Sequence, residues 1–370
     1  MSTLRVDAIR HNSATSDAIT TAADGTCTAK LTSVNGGQLS HRNKVINGGM
    51  LINQRASSYT STGGEYTLDR YNHAAGSAFT FDTTTTQDSS TPDGFSKSLK
   101  ITPDSTQTPT GSHNGTIRQV FEGQDFQDLA FGTSSAKSVT VSFYAKSASS
   151  NNNHQYGVQL RCRDGSTTQY VNQAFTVTSS WQRFTMTFVG NTGLAIRNDT
   201  LNGFEICFHL ASGSDDIVSA KSTWTTSGAF QTVTGQSNFM DNTSNEFYLT
   251  GVQLEVGDTA TSFEHRSVGE ELALCQRYYE ETYVMTDAGN SYVRVPVLWK
   301  VEKRVAGTPV SYAKRPDGVG TGAANKSYQA SGERDTVCNY SWTGGTMVFV
   351  TGYASNTDCF SNVRVDVGDF

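Results

Sequence analysis

Two pairs of adjacent carboxylates, Glu270-Glu271 and Glu280-Glu281, are the residues whose type and spacing come nearest to general acid–base chemistry. Both fall in the run SVGEELALCQRYYEE, where Ser267 and Glu270 form a capping box and Val268, Leu272, Cys275 and Tyr279 share one helical face. Acids at the start of a helix complement its dipole, so the first pair reads as structural rather than as a proton relay. The seven histidines (11, 41, 73, 113, 154, 209 and 265) are dispersed, and no GxSxG, HExxH, P-loop or GxGxxG pattern occurs. Asp215, Asp216 and Asp258 are candidates for a structural calcium, but they lack a calcium-loop spacing and read more simply as solvated loop acids. The six cysteines (27, 162, 207, 275, 338 and 359) show no CxxC or zinc spacing and read as buried free thiols, with a Cys338–Cys359 disulfide left open. The sequence therefore predicts no catalytic residue, no cofactor and no metal.

Binding chemistry is better represented. Aromatic residues make up 10% of the chain, and exposed rings are the usual platforms for sugar rings, with Ser, Asn and Asp loops supplying hydrogen bonds. Trp181 and Trp224 sit near expected strand ends, where a core or rim role is the simpler assignment. Tyr340, Trp342 and Tyr353 flank Gly-rich turns near the C-terminus and are the candidate glycan contacts, beside an exposed loop at 314–329. Arg55, Asp69 and Arg70 are charges embedded in strand-like runs; they need partners and are the candidate structural ion pair.

The elements that must position these residues are strands. Only 17% of residues are charged and 36% hydrophobic, with Ser, Thr, Gly and Asn filling much of the rest. Short alternating runs follow one another from 43 to 266, the clearest being Val139, Val141, Phe143 and Ala145 against Thr140, Ser142, Tyr144 and Lys146. Val45-Ile46 and Met50-Leu51-Ile52 around Asn47-Gly48-Gly49 read as a hairpin, Tyr66–Tyr71 and Ala78–Asp82 as strands, and Gly251 as a bulge. The predicted fold is all-β: an antiparallel jelly-roll sandwich with one short helix, followed by a smaller C-terminal β domain. The expected divisions are an N-terminal arm at 1–42, a sandwich at 43–266, a connecting helix at 267–284 and a β domain at 285–370. Net charge is −6 with mixed signs, which argues against nucleic acid, and no run approaches the roughly 20 apolar residues of a membrane span.

Two stretches carry a family resemblance. NKVINGGMLINQR followed by YTLDRY is similar to the opening of a module found in tail-fibre and other virion proteins of tailed bacteriophages. TGVQLEVGDTATSFEHRSVGEELALCQRYYE, from Thr250 to Glu280, resembles that module's ending. IRQVFEGQDFQDLAFG and VTVSFYAKS match between them, and MSTLRVDAI resembles the segments with which such proteins begin.

The resemblance implies a virion structural protein, a homotrimer, with a jelly roll similar to carbohydrate-binding modules and no catalytic residues. It leads to the expectation of a short tail fibre or tail appendage, made in the host cytoplasm and carried on the particle. Residues 1–42 would attach it to other virion proteins, and its far end would bind host surface polysaccharide. The alternatives are a capsid or tail decoration protein without a receptor, and a polysaccharide depolymerase, for which the chain shows neither a repeat nor a pair of grooved carboxylates.

Overall fold

The computed structural model describes residues 40–76 and 79–286, with the side chains of 281–286 left aside, and shorter pieces on either side (8–9, 19–21, 23, 27–29, 293–297, 300–302, 304, 310–313, 338–342, 345–352 and 359–366). Its centre is the expected antiparallel sandwich of two six-stranded sheets. In chain order the strands are β1 (Ser58–Ser61), β2 (Asn72–Gly76), β3 (Thr83–Asp88), β4 (Ser98–Pro103), β5 (Asn114–Glu122) and β6 (Val139–Ser147). They continue with β7 (Gln155–Arg163), β8 (Thr168–Thr176), β9 (Gln182–Phe188), β10 (Asn202–Ser212), β11 (Lys221–Thr226) and β12 (Phe247–Val256). The first sheet runs β11-β8-β7-β10-β5-β2 and the second β9-β6-β12-β4-β3-β1.

Alternation sends one face of each sheet inward. Val141 and Phe143 of β6, Tyr156 of β7, Phe175 of β8, Phe208 of β10 and Phe247 of β12 meet in a buried aromatic core. Phe143 touches Phe175 and Phe208 edge-to-face at 5.0 and 5.1 Å, the geometry that the ring quadrupoles favour. The polar side of β6 is not simply solvated: Thr140 and Ser142 are buried too, and Thr140 Oγ1 donates to the Gly257 carbonyl at 2.9 Å.

The expected hairpin at 45–52 does not form. No strand occurs in residues 40–57; Asn47 and Met50 take positive φ (58° and 57°) and Met50 N donates to Asn47 O across a tight turn. The amides a hairpin would pair with each other are taken by side chains instead. Ile46 N donates to Gln119 Oε1, Asn47 N to Glu271 Oε1, Ile52 N to Asn47 Oδ1 and Gln54 N to Asp69 Oδ2. Buried backbone groups need partners, and here Gln, Glu, Asn and Asp supply them. Likewise Tyr66–Tyr71 is a turn, with Arg70 at φ 74° and Thr67 N bonded to Tyr71 O, so the strand starts at Asn72. Phe79–Asp82 lies outside any strand, before β3.

The helix, α1, spans Val268–Gln276, and Ser267 Oγ accepts from Glu270 N at 3.2 Å as the capping box requires. It is shorter than the expected 267–284, and Tyr279–Thr286 is a strand. The reason is a clamp at the turn: Arg277 grips Glu122 of β5 through Nε (2.6 Å) and Nη2 (2.7 Å), and the Tyr278 hydroxyl donates to Glu122 Oε1 at 2.8 Å. The run that follows, Tyr-Glu-Glu-Thr-Tyr-Val, is rich in strand formers. The expected apolar stripe is also corrected: Val268 is 60% exposed, while Glu271, Cys275 and Gln276 are the buried helix residues.

Outside the sandwich, Ala8–Ile9, Ile19–Thr21 and Cys27–Ala29 pair antiparallel. Tyr279–Thr286 pairs with Cys359–Asp366, which also pairs with Val310–Ala313. Val293–Val297 and Cys338–Trp342 flank Gly345–Gly352. Of these, Val293–Val297, Val310–Ala313, Cys338–Trp342, Gly345–Gly352 and Cys359–Asp366 fall in the stretch 285–370 expected to be β, and Tyr279–Thr286 begins in the stretch expected to be helix. Cys338 and Cys359 thus stand on strands of different sheets; Cys162 and Cys207 are free and buried, and Cys275 is buried.

Candidate functional site

The outer face of the second sheet carries a row of rings. Register places Tyr144 of β6 opposite Thr250 of β12, and Lys146 opposite Tyr248, which in turn faces Lys100 of β4. At one end of the row, the half-buried Trp181 packs edge-on to Tyr248 with centroids 6.1 Å apart. Lys146 Nζ lies 4.3 Å from the Tyr248 centroid and 5.5 Å from that of Trp181, a cation over two ring faces. Lys100 is held beside Tyr248 by Glu246 at 2.5 Å.

At the other end the rings enclose a recess of about 340 Å³, lined by Gly49, Leu51, Gly94, Phe95, Phe263, His265, Arg266 and Glu271 among others. Phe95 stands at its centre, 5.0 Å from Phe263, 5.3 Å from Tyr144 and 5.4 Å from His265. The close approach depends on Gly251, which has φ 62° and sits where the β12–β6 register slips. A Cβ there would come within 2.7 Å of Phe95 Cζ and 3.0 Å of a Tyr144 ring carbon. Gly251 is therefore the bulge expected from the sequence, and the bulge makes room for two rings.

The polar wall of the recess is rigid. Arg266 donates to the carbonyls of Val45 (2.9 Å) and Asn43 and pairs with Glu271 at 3.5 Å. Burial raises the Glu271 pKa, offset in part by the Asn47 amide and by Arg266. Glu271 is one carboxylate, held by backbone and guanidinium, whereas glycoside hydrolysis uses two on opposite sides of the bond. What the recess offers is flat apolar faces with fixed polar groups at one edge and an exposed imidazole, His265, at the rim. That combination suits a ring-shaped ligand with one apolar face and hydroxyls around its edge.

The residues singled out from the sequence fall elsewhere. Asp69 accepts from Gln54 N and Nε2 at 2.6 and 2.7 Å; Arg55 stacks 4.0 Å over Tyr279; Arg70 stacks 3.4 Å over Tyr278 and donates to the Val120 carbonyl. All three belong to the junction between residues 43–73 and 250–280. Trp224 packs against Phe131 and Phe204 at the core edge and donates to the Val189 carbonyl at 2.7 Å, whereas Trp181 joins the outer row. Tyr340 and Trp342 lie on the strand Cys338–Trp342, but their side chains, Tyr353 and the 314–329 loop are outside the described residues. Asp216 is bonded by Asn114 Nδ2 at 3.2 Å, and among the described residues no three His, Cys, Asp or Glu side chains converge on a metal position. Glu280, on the strand, accepts from Lys300 N.

Sequence reasoning passed over Phe95, Tyr144, Tyr248, Phe263 and His265. One signal was present: Tyr144 and Tyr248 are aromatic residues on the polar side of alternating strands, where hydroxyls or charges are expected.

No protein-family model matches the sequence, and no curated protein matches it. Among solved structures, a protein of Bacteroides thetaiotaomicron named for sugar binding is similar over 58% of this chain and 100% of its own, at 10% identity and a TM-score of 0.33. The enzymatically active domain of tailspike protein 4 of bacteriophage CBA120 is similar over 61% of this chain, at 14% identity and a TM-score of 0.31; the match spans 23% of that chain. A family 11 carbohydrate-binding module of Clostridium thermocellum, in complex with a mixed-linked tetrasaccharide, is similar over 57% of this chain and all of its own, at 14% identity and a TM-score of 0.29. At these scores the likenesses carry no argument about function, which rests on the site.

Proposed function

We propose that the chain is a non-catalytic glycan-binding protein of a phage particle, and that the aromatic recess on the second sheet is its sugar site. The observation that carries the glycan half is the recess itself: the half-buried Phe95 and Phe263 line about 340 Å³, with Arg266, Glu271 and His265 at hand for hydroxyls. The Tyr248–Lys146–Trp181 row continues the same face, with Tyr248 buried beneath Lys100, Lys146 and Trp181 and Trp181 the more accessible ring.

The virion half is supported by the resemblance of the opening and closing motifs to tail-fibre modules, and with it come attachment through residues 1–42 and a homotrimer. The test is binding of the full-length chain to immobilised host-surface polysaccharides. The expected result is saturable binding that Phe263→Ala or Phe95→Ala weakens about tenfold, each removing one stacking platform. Wild-type chain that binds no such polysaccharide, or variants that bind as well as wild type, would overturn the glycan reading. Labelling of intact particles tests the virion half separately.

A further inference from the structure

The outer face of the first sheet has the opposite character: polar, charged and covered by the chain itself. Glu205 of β10 is fully buried, and three guanidiniums converge on it: Arg161 of β7 at 3.2 Å, Arg163 of β7 at 2.9 Å and Arg118 of β5 at 3.3 Å. Asn202 Nδ2 adds a fourth donor at 2.8 Å. Burial pushes the Glu205 pKa up, but Arg161, Arg118 and Arg163 outweigh it and hold the carboxyl down at about 2. Over this cluster passes the segment after β11. Gly228 O accepts from Arg161 Nη2 at 2.7 Å, and the Phe230 ring sits 4.0 Å from the Arg161 guanidinium carbon and 5.1 Å from that of Arg118.

Two features remain unexplained by structure alone. One carboxylate faces three guanidiniums; Arg161, whose side chain is 1% exposed, is matched by the equally buried Glu205, so the two positive charges in excess fall on Arg118 and Arg163, which reach the surface. Pairing Glu205 takes one guanidinium, and the further two bring charge that it does not balance. Polar atoms are also left over: Arg161 Nε, Asn202 Oδ1, Gln159 Nε2 and His209 Nδ1 have no hydrogen-bond partner among the described residues. Register places Arg161 opposite Glu205, Gln159 opposite Cys207 and Gly157 opposite His209, so these groups share one face.

We propose that this face holds a second ligand site, for the carboxylate of an acidic sugar. Arg118 and Arg163 are the reachable members, with side chains 21% and 32% exposed, and each keeps N–H donors beyond those given to Glu205. Phe230 occupies guanidinium faces and leaves edges, which is how a planar carboxylate is received. The charge excess supplies the selectivity for an anion. Only the sugar part rests on the glycan reading above; the anion part stands by itself.

The test uses the full-length chain and two probes, an oligogalacturonate and its fully methyl-esterified form, which has the same shape without the charge. The acid should bind, the ester should bind at least tenfold more weakly, and Arg118→Gln and Arg163→Gln should each cost the acid about tenfold, as loss of a charge-assisted pair does. The side-chain Nε–Hε resonances of Arg118 and Arg163 in the wild-type chain should shift with the acid and stay put with the ester, a readout that does not depend on a variant folding. Equal binding of acid and ester, no binding of the acid, or unmoved arginine resonances would overturn the proposal. Neutral glycans that fill the aromatic recess carry no carboxylate, so either site can fail alone.

Discussion

Replacing Asn47 tests whether the junction between the two motifs works as described. Asn47 is fully buried at φ 58°, and its side chain makes three bonds: Nδ2 to Ile52 O (2.9 Å) and Asp69 O (3.0 Å), and Oδ1 from Ile52 N (2.9 Å). Asn47→Ala strands all three partners, in a place water does not reach. At about 1 kcal/mol net per bond the loss is about 3 kcal/mol. A left-handed backbone adds roughly 1 kcal/mol for Ala, which Asn tolerates by local bonding and Gly avoids. The expectation is a loss of about 4 kcal/mol for Asn47→Ala and about 3 kcal/mol for Asn47→Gly, a large share of the roughly 5–15 kcal/mol that holds a domain. Urea unfolding of the full chain, followed by tryptophan fluorescence and by circular dichroism, measures both. An Ala variant within 1 kcal/mol of wild type would show that the bonds contribute little. A Gly variant as damaging as Ala would show that the backbone conformation is not what Asn47 is chosen for.

Gly48→Ala should be nearly as harmful, because its Cβ would lie 2.2 Å from the Val252 carbonyl oxygen and backbone must move; about 3 kcal/mol lost in the same urea experiment is expected. Glu205 predicts a pH dependence. Its folded pKa of about 2 lies below the model-compound value of 4.5, so its contribution is complete above pH 4.5 and disappears as pH falls toward 2. The shift corresponds to roughly 3 kcal/mol. Subtracting the stability curve of Glu205→Gln from that of wild type cancels the buried neutral His73 and His209, and the difference should shrink across that window; parallel curves would refute it.

The sandwich was legible because burial imposes alternation: Val139 to Ala145 and the cap at Ser267 behave as their spacing requires. The junction was not, because Asn47-Gly48-Gly49 satisfies hairpin chemistry locally while Glu271, 224 residues away, takes the amide that a partner strand would have used. The same holds for α1, whose end is set by Glu122 on β5, a partner that helix periodicity cannot reveal. Arg55, Asp69 and Arg70 were recognisable as charges needing partners, whereas the bonds from Gln54 to Asp69 and the packing of the arginines over Tyr279 and Tyr278 depend on segments that the sequence does not set side by side. The recess draws Leu51, Phe95 and Phe263 from three separate stretches outside the strands, so only the folded chain brings it together. The arginine cluster was invisible for the same reason: Arg118, Arg161 and Arg163 meet at Glu205 through pairings of β5, β7 and β10.

The meeting of the two ends at Asn43–Asn47 and Val252–Arg277 has a mechanical meaning. Lys44 N donates to Leu254 O, Val252 N to Gly48 O, and Arg266 binds the carbonyls of residues 43 and 45. A pull applied to the chain on either side of the module would therefore be borne across a lock only a few ångströms wide, short-circuiting the two sheets. The recess beside that lock would feel tension first, and the sheets behind it last, so a chain under load would report strain at the recess before its fold gave way.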